Sequence, residues 1–182
     1  PGKKQNRSYS LDGDVLWEFN GRMSNLVIPS PFVAHDLCYI ASGYIGDNHR
    51  PTFAIRPGAT GDLAPDGDFT QSEHIAWYQK QASSYNPTQI VYRDLLYTLY
   101  DRGFLTCHNA KTGEEVYGKR RFDPRGSFTS SPWAYNGHLF FLSEDGLTYV
   151  VKAGPEFEIV HTNDLKELSL SSPAIAGDKL LI

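Results

Sequence analysis

The feature that most restricts how this chain can fold is a repeated pattern with a period of roughly 40 to 45 residues, a spacing at which each repeat is one small module that cannot bury its apolar face alone. The dipeptides Ser30-Pro31, Ser131-Pro132 and Ser172-Pro173, with Asn86-Pro87 as a weaker member, each precede a short mixed run and then a polar turn. Those turns are His35-Asp36, Arg93-Asp94, Asn136-Gly137 and Gly177-Asp178. An apolar strand follows each: Leu37 to Ile40, Leu95 to Leu99, Leu139 to Leu142 and Leu180 to Ile182. The four prolines lie 56, 45 and 41 residues apart.

A second set of landmarks keeps the same beat. Turn signals at Asp12-Gly13, Thr60-Gly61, Thr112-Gly113 and Gly154-Pro155 lead into Val15-Leu16-Trp17, Ile75-Ala76-Trp77, Glu115-Val116-Tyr117 and Glu158-Ile159-Val160. Trp17, Trp77, Tyr117 and Val160 are 60, 40 and 43 residues apart, so both sets assign an insertion to the same repeat. Each repeat reads as four short strands rich in Val, Ile, Tyr, Phe and Leu, with Gly, Asp and Asn at the corners. Only Asn163 to Leu168 offers a helical turn, and a loop suits it equally.

Four-stranded antiparallel modules at this period predict an all-β fold, a β-propeller of about four blade equivalents standing alone or within a larger ring. The division is a half blade at residues 5–20, blades at 21–80, 81–128 and 129–171, and a half blade at 172–182. The two halves are complementary, outer strands first and inner strands last, so they either pair to close a four-bladed ring or border an arc of a longer one. The start at Pro1 and the apolar end, Leu180-Leu181-Ile182, read as the limits of an excised piece, in which any signal peptide would be invisible. Elementary sterics give the repeat positions structural roles. Gly103, Gly113 and Gly146 supply positive φ at tight turns, and Trp17, Trp77 and Tyr117 wedge between blades.

Blade 81–128, with Asp101-Arg102-Gly103 and then Asn109-Ala110-Lys111-Thr112-Gly113, resembles the repeat of the pyrroloquinoline-quinone-like (PQQ-like) propellers. Blade 129–171 shares Ser131-Pro132 and Ser143-Glu144-Asp145-Gly146 but departs from the pattern at Lys152-Ala153-Gly154-Pro155. The resemblance covers nearly the whole chain and is greatest to exported bacterial propellers related to the propeller lipoprotein of the outer-membrane β-barrel assembly machinery. It implies a periplasmic or extracellular location. For quinoprotein dehydrogenases of this group it implies an adjacent cysteine pair over the quinone, a Glu/Asn/Asp calcium site and an aspartate base. Cys38 and Cys107 are not adjacent and fall in different blades, so PQQ with calcium is expected only under an alternative reading of the chain as a dehydrogenase fragment. Otherwise no cofactor is expected.

Composition excludes further classes. A formal net charge of -4, with Lys119-Arg120-Arg121 as the longest cationic run, argues against a phosphate-tracking surface and hence against nucleic acid. No run approaches the roughly 18 apolar residues of a membrane span. The two cysteines sit in apolar runs and read as buried small hydrophobes. His35, His49, His74, His108, His138 and His161 form no pair at zinc-ligand spacing. Asp62, Asp66 and Asp68 alternate as calcium ligands do, but the series lacks the closing Glu of an EF-hand and reads as a solvated loop. Nucleophile-elbow and phosphate-loop motifs are absent.

Function is expected on the insertion of blade 21–80, because loops added to a rigid scaffold are where binding residues sit. Its first part offers Tyr44, Asp47, Asn48, His49 and Arg50; its second offers Arg56, Asp62, Asp66, Asp68 and Glu73. That mixture suits a polar ligand or a peptide. The leading expectation is a non-enzymatic binding or scaffolding module with a protein or saccharide partner on one propeller face. A carbohydrate-active propeller is a further alternative, with two carboxylates such as Asp47 and Glu73 facing each other across roughly 5 to 10 Å.

Overall fold

The computed structural model describes residues 1–20, 22–63 and 72–182, and every regular element among them is a β-strand. After the last long strand the chain turns at Lys166, whose φ of 57° and N–H bond to Asp164 Oδ1 at 2.7 Å make a tight polar turn rather than a helix. The strands group into two compact units, residues 1–85 with 111–113 and residues 86–110 with 114–182.

The first unit contains two sheets. In one, β1 (Gln5–Tyr9) pairs antiparallel with β2 (Val15–Asn20). In the other, β3 (Phe32–Ala34), β4 (Leu37–Ala41), β5 (Thr52–Ile55) and β7 (Ile75–Gln79) run in that order, all antiparallel. The β3–β4 hairpin turns through His35 and Asp36, both at positive φ, the geometry whose twist matches that of the flanking strands. Apolar side chains from both sheets form one core of Phe19, Met23, Ile40, Phe53, Ile55, Ala59, Leu63 and Ile75.

One pairing breaks the antiparallel pattern. β6 (Gly61–Asp62), from the insertion, adds to β2 in parallel, and the Leu63 N–H donates to the Glu18 carbonyl at 2.8 Å. Part of the insertion is therefore framework. It buries Ala59 and Leu63 in the core and covers the edge of β2.

The second unit holds two four-stranded sheets. One is β8 (Ile90–Tyr92), β9 (Leu95–Tyr100), β10 (Phe104–Asn109) and β11 (Glu115–Arg121); the other is β12 (Trp133–Tyr135), β13 (His138–Leu142), β14 (Leu147–Lys152) and β15 (Ile159–Asp164). Strands β9, β10 and β14 are buried on both faces and so read as nearly continuous apolar runs. The two sheets share a core containing Tyr97, Leu99, Leu105, Tyr117, Phe122, Leu139, Phe141, Tyr149 and Val151. A hairpin, β16 (Ala174–Ala176) and β17 (Lys179–Leu181), is exposed along its length and forms a two-stranded sheet of its own. The third strand beside β1 and β2 is β6.

The repeat glycines Gly103, Gly113 and Gly146 have φ of 72°, 75° and 86°. At Gly146 a Cβ would also collide with the Glu167 carbonyl. Trp77 and Tyr117 are buried, and Trp17 is half-buried against the first core. Among the described residues the Tyr117 hydroxyl has no hydrogen-bond partner, whereas the Tyr97 hydroxyl accepts the Gly154 N–H at 2.9 Å. Tyr117→Phe should therefore leave stability unchanged or raise it by up to about 1 kcal/mol, while Tyr97→Phe should cost about 1 kcal/mol by orphaning a backbone donor. Urea denaturation of the two variants checks the contrast, and a Tyr117→Phe loss as large as that of Tyr97→Phe would contradict it.

Candidate functional site

The first part of the insertion, residues 43–51, leaves β4 and returns to β5, and local contacts hold it rigidly. A Cβ at Gly43 would collide with the Ser84 carbonyl, so this entry point admits only glycine. Gly46, at φ 97°, makes the reversal. The Arg50 N–H donates to the Lys80 carbonyl at 2.9 Å, and the Arg50 carbonyl accepts the Ser83 N–H at 3.0 Å. The Gln81 side chain donates to the Asn48 carbonyl.

Asp47 is the hub of this loop. Its Oδ2 accepts from the Ser24 hydroxyl at 2.6 Å and the Asn25 N–H at 2.8 Å, and its Oδ1 accepts from Asn25 Nδ2 at 2.7 Å. The Asn25 backbone bond, followed by the Ser24 bond, holds the Asp47 carboxyl below its ordinary value. Such a group stays ionised and does not act as a general acid, for which a raised pKa is needed. His49 Nε2 lies 2.7 Å from the Arg22 carbonyl, and because a carbonyl only accepts, the proton is on Nε2. The His49 ring lies beside that of Tyr78, centroids 6.1 Å apart. Tyr44, 39% exposed, meets Tyr85 edge-on at 5.5 Å, and Asn48 is exposed.

The fold thus brings Tyr44, Asp47, Asn48, His49 and Arg50 onto one braced loop. It does not gather the second set there. Arg56 Nη1 donates to the carbonyls of Ser72 and Glu73 at 2.8 and 3.1 Å, tying down the insertion's return. Asp62 lies in β6 opposite Glu18, and Glu73 is exposed beside β7. Asp66 and Asp68 lie outside the described residues. Sequence reading missed Arg22, Ser24, Asn25, Tyr78 and Tyr85, which brace the loop from more than 20 residues away and carry no repeat signal. It also missed a cavity of about 270 Å³ in the second unit, lined by Trp133, Tyr135, Phe140, Ile175, Lys179 and Leu180.

Two buried groups in the second unit bear on chemistry. Cys107 is fully buried, and burial pushes its thiol up to about 12, so it is an unreactive core residue. His108 is 5% exposed with Nδ1 unpartnered among the described residues, and burial holds its imidazole below the ordinary 6.5, against a smaller opposing effect of Glu115. Because the unfolded chain takes up this proton at higher pH than the folded one, stability is full above 6.5 and declines as pH falls through that value towards the lower folded pKa. One such proton gives a slope of at most about 1.4 kcal/mol per pH unit. His108→Gln should flatten the stability curve just below pH 6.5. Chemical denaturation across a pH series measures it, and an unchanged slope would refute the assignment.

Neither a family model nor a curated protein matches the chain. Solved structures do. The chain is similar to BamB from Moraxella catarrhalis, with TM-score 0.67 and 13% identity over 97% of this chain and 48% of that one. It is similar to the quinohemoprotein alcohol dehydrogenase from Comamonas testosteroni, with TM-score 0.55 and 16% identity over 85% of this chain and 22% of that one. It is also similar to the computationally designed Ika8 protein, with TM-score 0.55 and 10% identity over 92% of this chain and 45% of that one. The fold is an all-β propeller of four-stranded blades, and this chain spans about half the length of BamB. Among the described residues, no helix is long and apolar enough to cross a membrane.

Proposed function

We propose that this chain is part of a non-enzymatic binding or scaffolding propeller, exported to the periplasm or cell surface, that receives a protein partner on the loop at residues 43–51. The observation that carries the reading is the state of Asp47. The loop's one carboxylate is spent on Ser24 and Asn25, which rigidifies the loop, while the side chains left facing outwards are a tyrosine and an amide. A braced loop presenting Tyr and Asn suits protein recognition, since little conformational entropy remains to be lost on binding.

The two alternative readings find less support in these residues. Cys38 on β4 and Cys107 on β10 do not supply an adjacent pair for a quinone, and Asp47 is too acidic for the carbohydrate-active alternative to use as its acid. A photo-crosslinking residue at Tyr44 tests the proposal in cells of the source organism. A discrete protein adduct at Tyr44, absent when the crosslinker replaces the exposed Leu11, is the expected result. Equal adducts at both positions, or none at Tyr44, would overturn it.

A further inference from the structure

The outer strand β11 differs from its counterparts in a way the fold does not require. Strands β2, β7 and β15 occupy the same fourth position in their repeats and carry no Lys or Arg. β11, the longest at seven residues, ends in Lys119-Arg120-Arg121, all exposed, in a chain whose net charge is -4. Since three equivalent strands do without it, the cationic run is not part of what holds a blade together.

These cations pair with rings instead of carboxylates. Arg121 lies over Phe104 at 4.6 Å, Lys119 over Tyr100 at 4.9 Å and Arg120 over Tyr117 at 5.9 Å. Phe104 and Tyr100 are direct cross-strand partners, so Lys119 and Arg121 stand on one continuous aromatic platform, with Arg120 on the opposite face. The platform orients both charges and leaves their hydrogen-bond donors unspent. The register of β10 against β11 shifts between Leu105 and Cys107, so Gly118 and Lys119 together oppose Thr106, a bulge that redirects the end of the strand. Arg102, exposed at the tip of the β9–β10 turn, sits at the same end, since the neighbouring Gly103 carbonyl accepts the N–H of Phe122, the residue after β11. The strand's own carboxylate, Glu115, lies at the other end, over Gly118. β11 is also the edge of its sheet, and among the described residues its outer side takes no backbone hydrogen bond.

An unpaired strand edge with cations alternating to both faces fits one kind of partner. We propose that β11 is a docking edge for an extended acidic polypeptide segment, which adds as a fifth strand and places alternate carboxylates against Lys119 and Arg121. Backbone pairing supplies affinity without sequence demands, and the charges select acidic segments. The proposal goes beyond the reading of the Tyr44 loop and does not depend on it.

The test uses the whole chain and a fluorescein-labelled octapeptide of alternating Glu and Val, followed by anisotropy. Binding at low salt is expected, weakening by about tenfold or more at about 0.5 M salt, where exposed charges are screened. The variant Lys119→Glu/Arg121→Glu should lose at least about tenfold in affinity, and Lys119→Gln/Arg121→Gln, which keeps the stems over the rings, a similar factor. N-methylation of alternate peptide amides should abolish binding, because strand addition needs those donors. Equal affinity of wild type and either variant, or of the methylated and unmethylated peptides, would overturn the proposal. So would tighter binding to phosphatidylglycerol vesicles than to the peptide, which would make the edge a membrane-facing one. A Tyr44 adduct retained in the Lys119/Arg121 variants would leave the loop reading standing whatever happens at β11.

Discussion

Trp77→Ala is expected to destabilise the first unit by about 3–5 kcal/mol, the range for removing a fully packed large aromatic side chain. Trp77 is 3% exposed on β7, tilted against Tyr39 with centroids 5.8 Å apart. Its other face lies on the turn at Gly113, where a Cβ would come within 2.7 to 2.9 Å of three indole carbons. The tryptophan and the glycine are thus one device. Gly113→Ala alone should also be costly, through the clash and through its φ of 75°. In Trp77→Ala/Gly113→Ala the clash has no partner left, so the double variant should be less destabilised than the sum of the two singles, a coupling of about 1 kcal/mol or more. Urea denaturation of the four proteins measures the cycle. Strict additivity would mean that the indole does not rest on the turn.

Phe122→Ala should cost the second unit a similar amount, about 3–5 kcal/mol. Phe122 is 1% exposed, and its ring centroid lies 4.7 Å from that of Tyr149, 5.3 Å from Phe141, 5.5 Å from Phe128 and 5.7 Å from Phe157. Truncation leaves a cavity walled by four rings, Phe141 of β13, Tyr149 of β14, and Phe128 and Phe157 of the connecting segments, and removes ring contacts worth about 0.5–1.5 kcal/mol each beyond the area they bury. Phe122→Leu should recover most of the loss, since it refills the space without restoring the ring geometry. A drop in near-ultraviolet circular dichroism from the neighbouring Tyr149 should accompany the alanine variant alone. A cost below about 1 kcal/mol for Phe122→Ala would place the ring outside the core.

These two residues show how unevenly the sequence declares itself. Trp77 stands at a repeat position, in step with Trp17 and Tyr117, and the spacing marks it before any coordinates do. Phe122 follows the run Lys119-Arg120-Arg121 in a segment with no repeat landmark, and nothing local separates it from a surface residue. It becomes central because its N–H is held by the Gly103 carbonyl, which turns the ring inwards. The candidate site divides in the same way. That residues 43–52 are extra to the repeat is visible from the lengthened spacing, which nominates Tyr44, Asp47, Asn48, His49 and Arg50. That Asp47 is a brace depends on Ser24 and Asn25, which lie 23 and 22 residues away. The second part of the insertion looked from its charges like a binding rim, yet Ala59 and Leu63 fix part of it in the core.

By itself the sequence determined the module and its repetition. Strand period, turn residues and the recurrence of apolar segments act over a few residues, so they are written locally and specify four-stranded antiparallel sheets wherever they recur. The left-handed turns at His35-Asp36 and Asn136-Gly137 belong to the same class, since the turns that match the twist of a two-residue hairpin place one or both central residues at positive φ. Tertiary structure alone decided which charges are spent and which are offered. Asp47 is held ionised and in place by hydrogen bonds from distant residues, β6 pairs in parallel with a strand some 45 residues earlier, and Lys119 and Arg121 find rings rather than carboxylates beneath them. Electrostatic roles are set by separations of a few ångströms between residues far apart along the chain, and no local pattern encodes such separations.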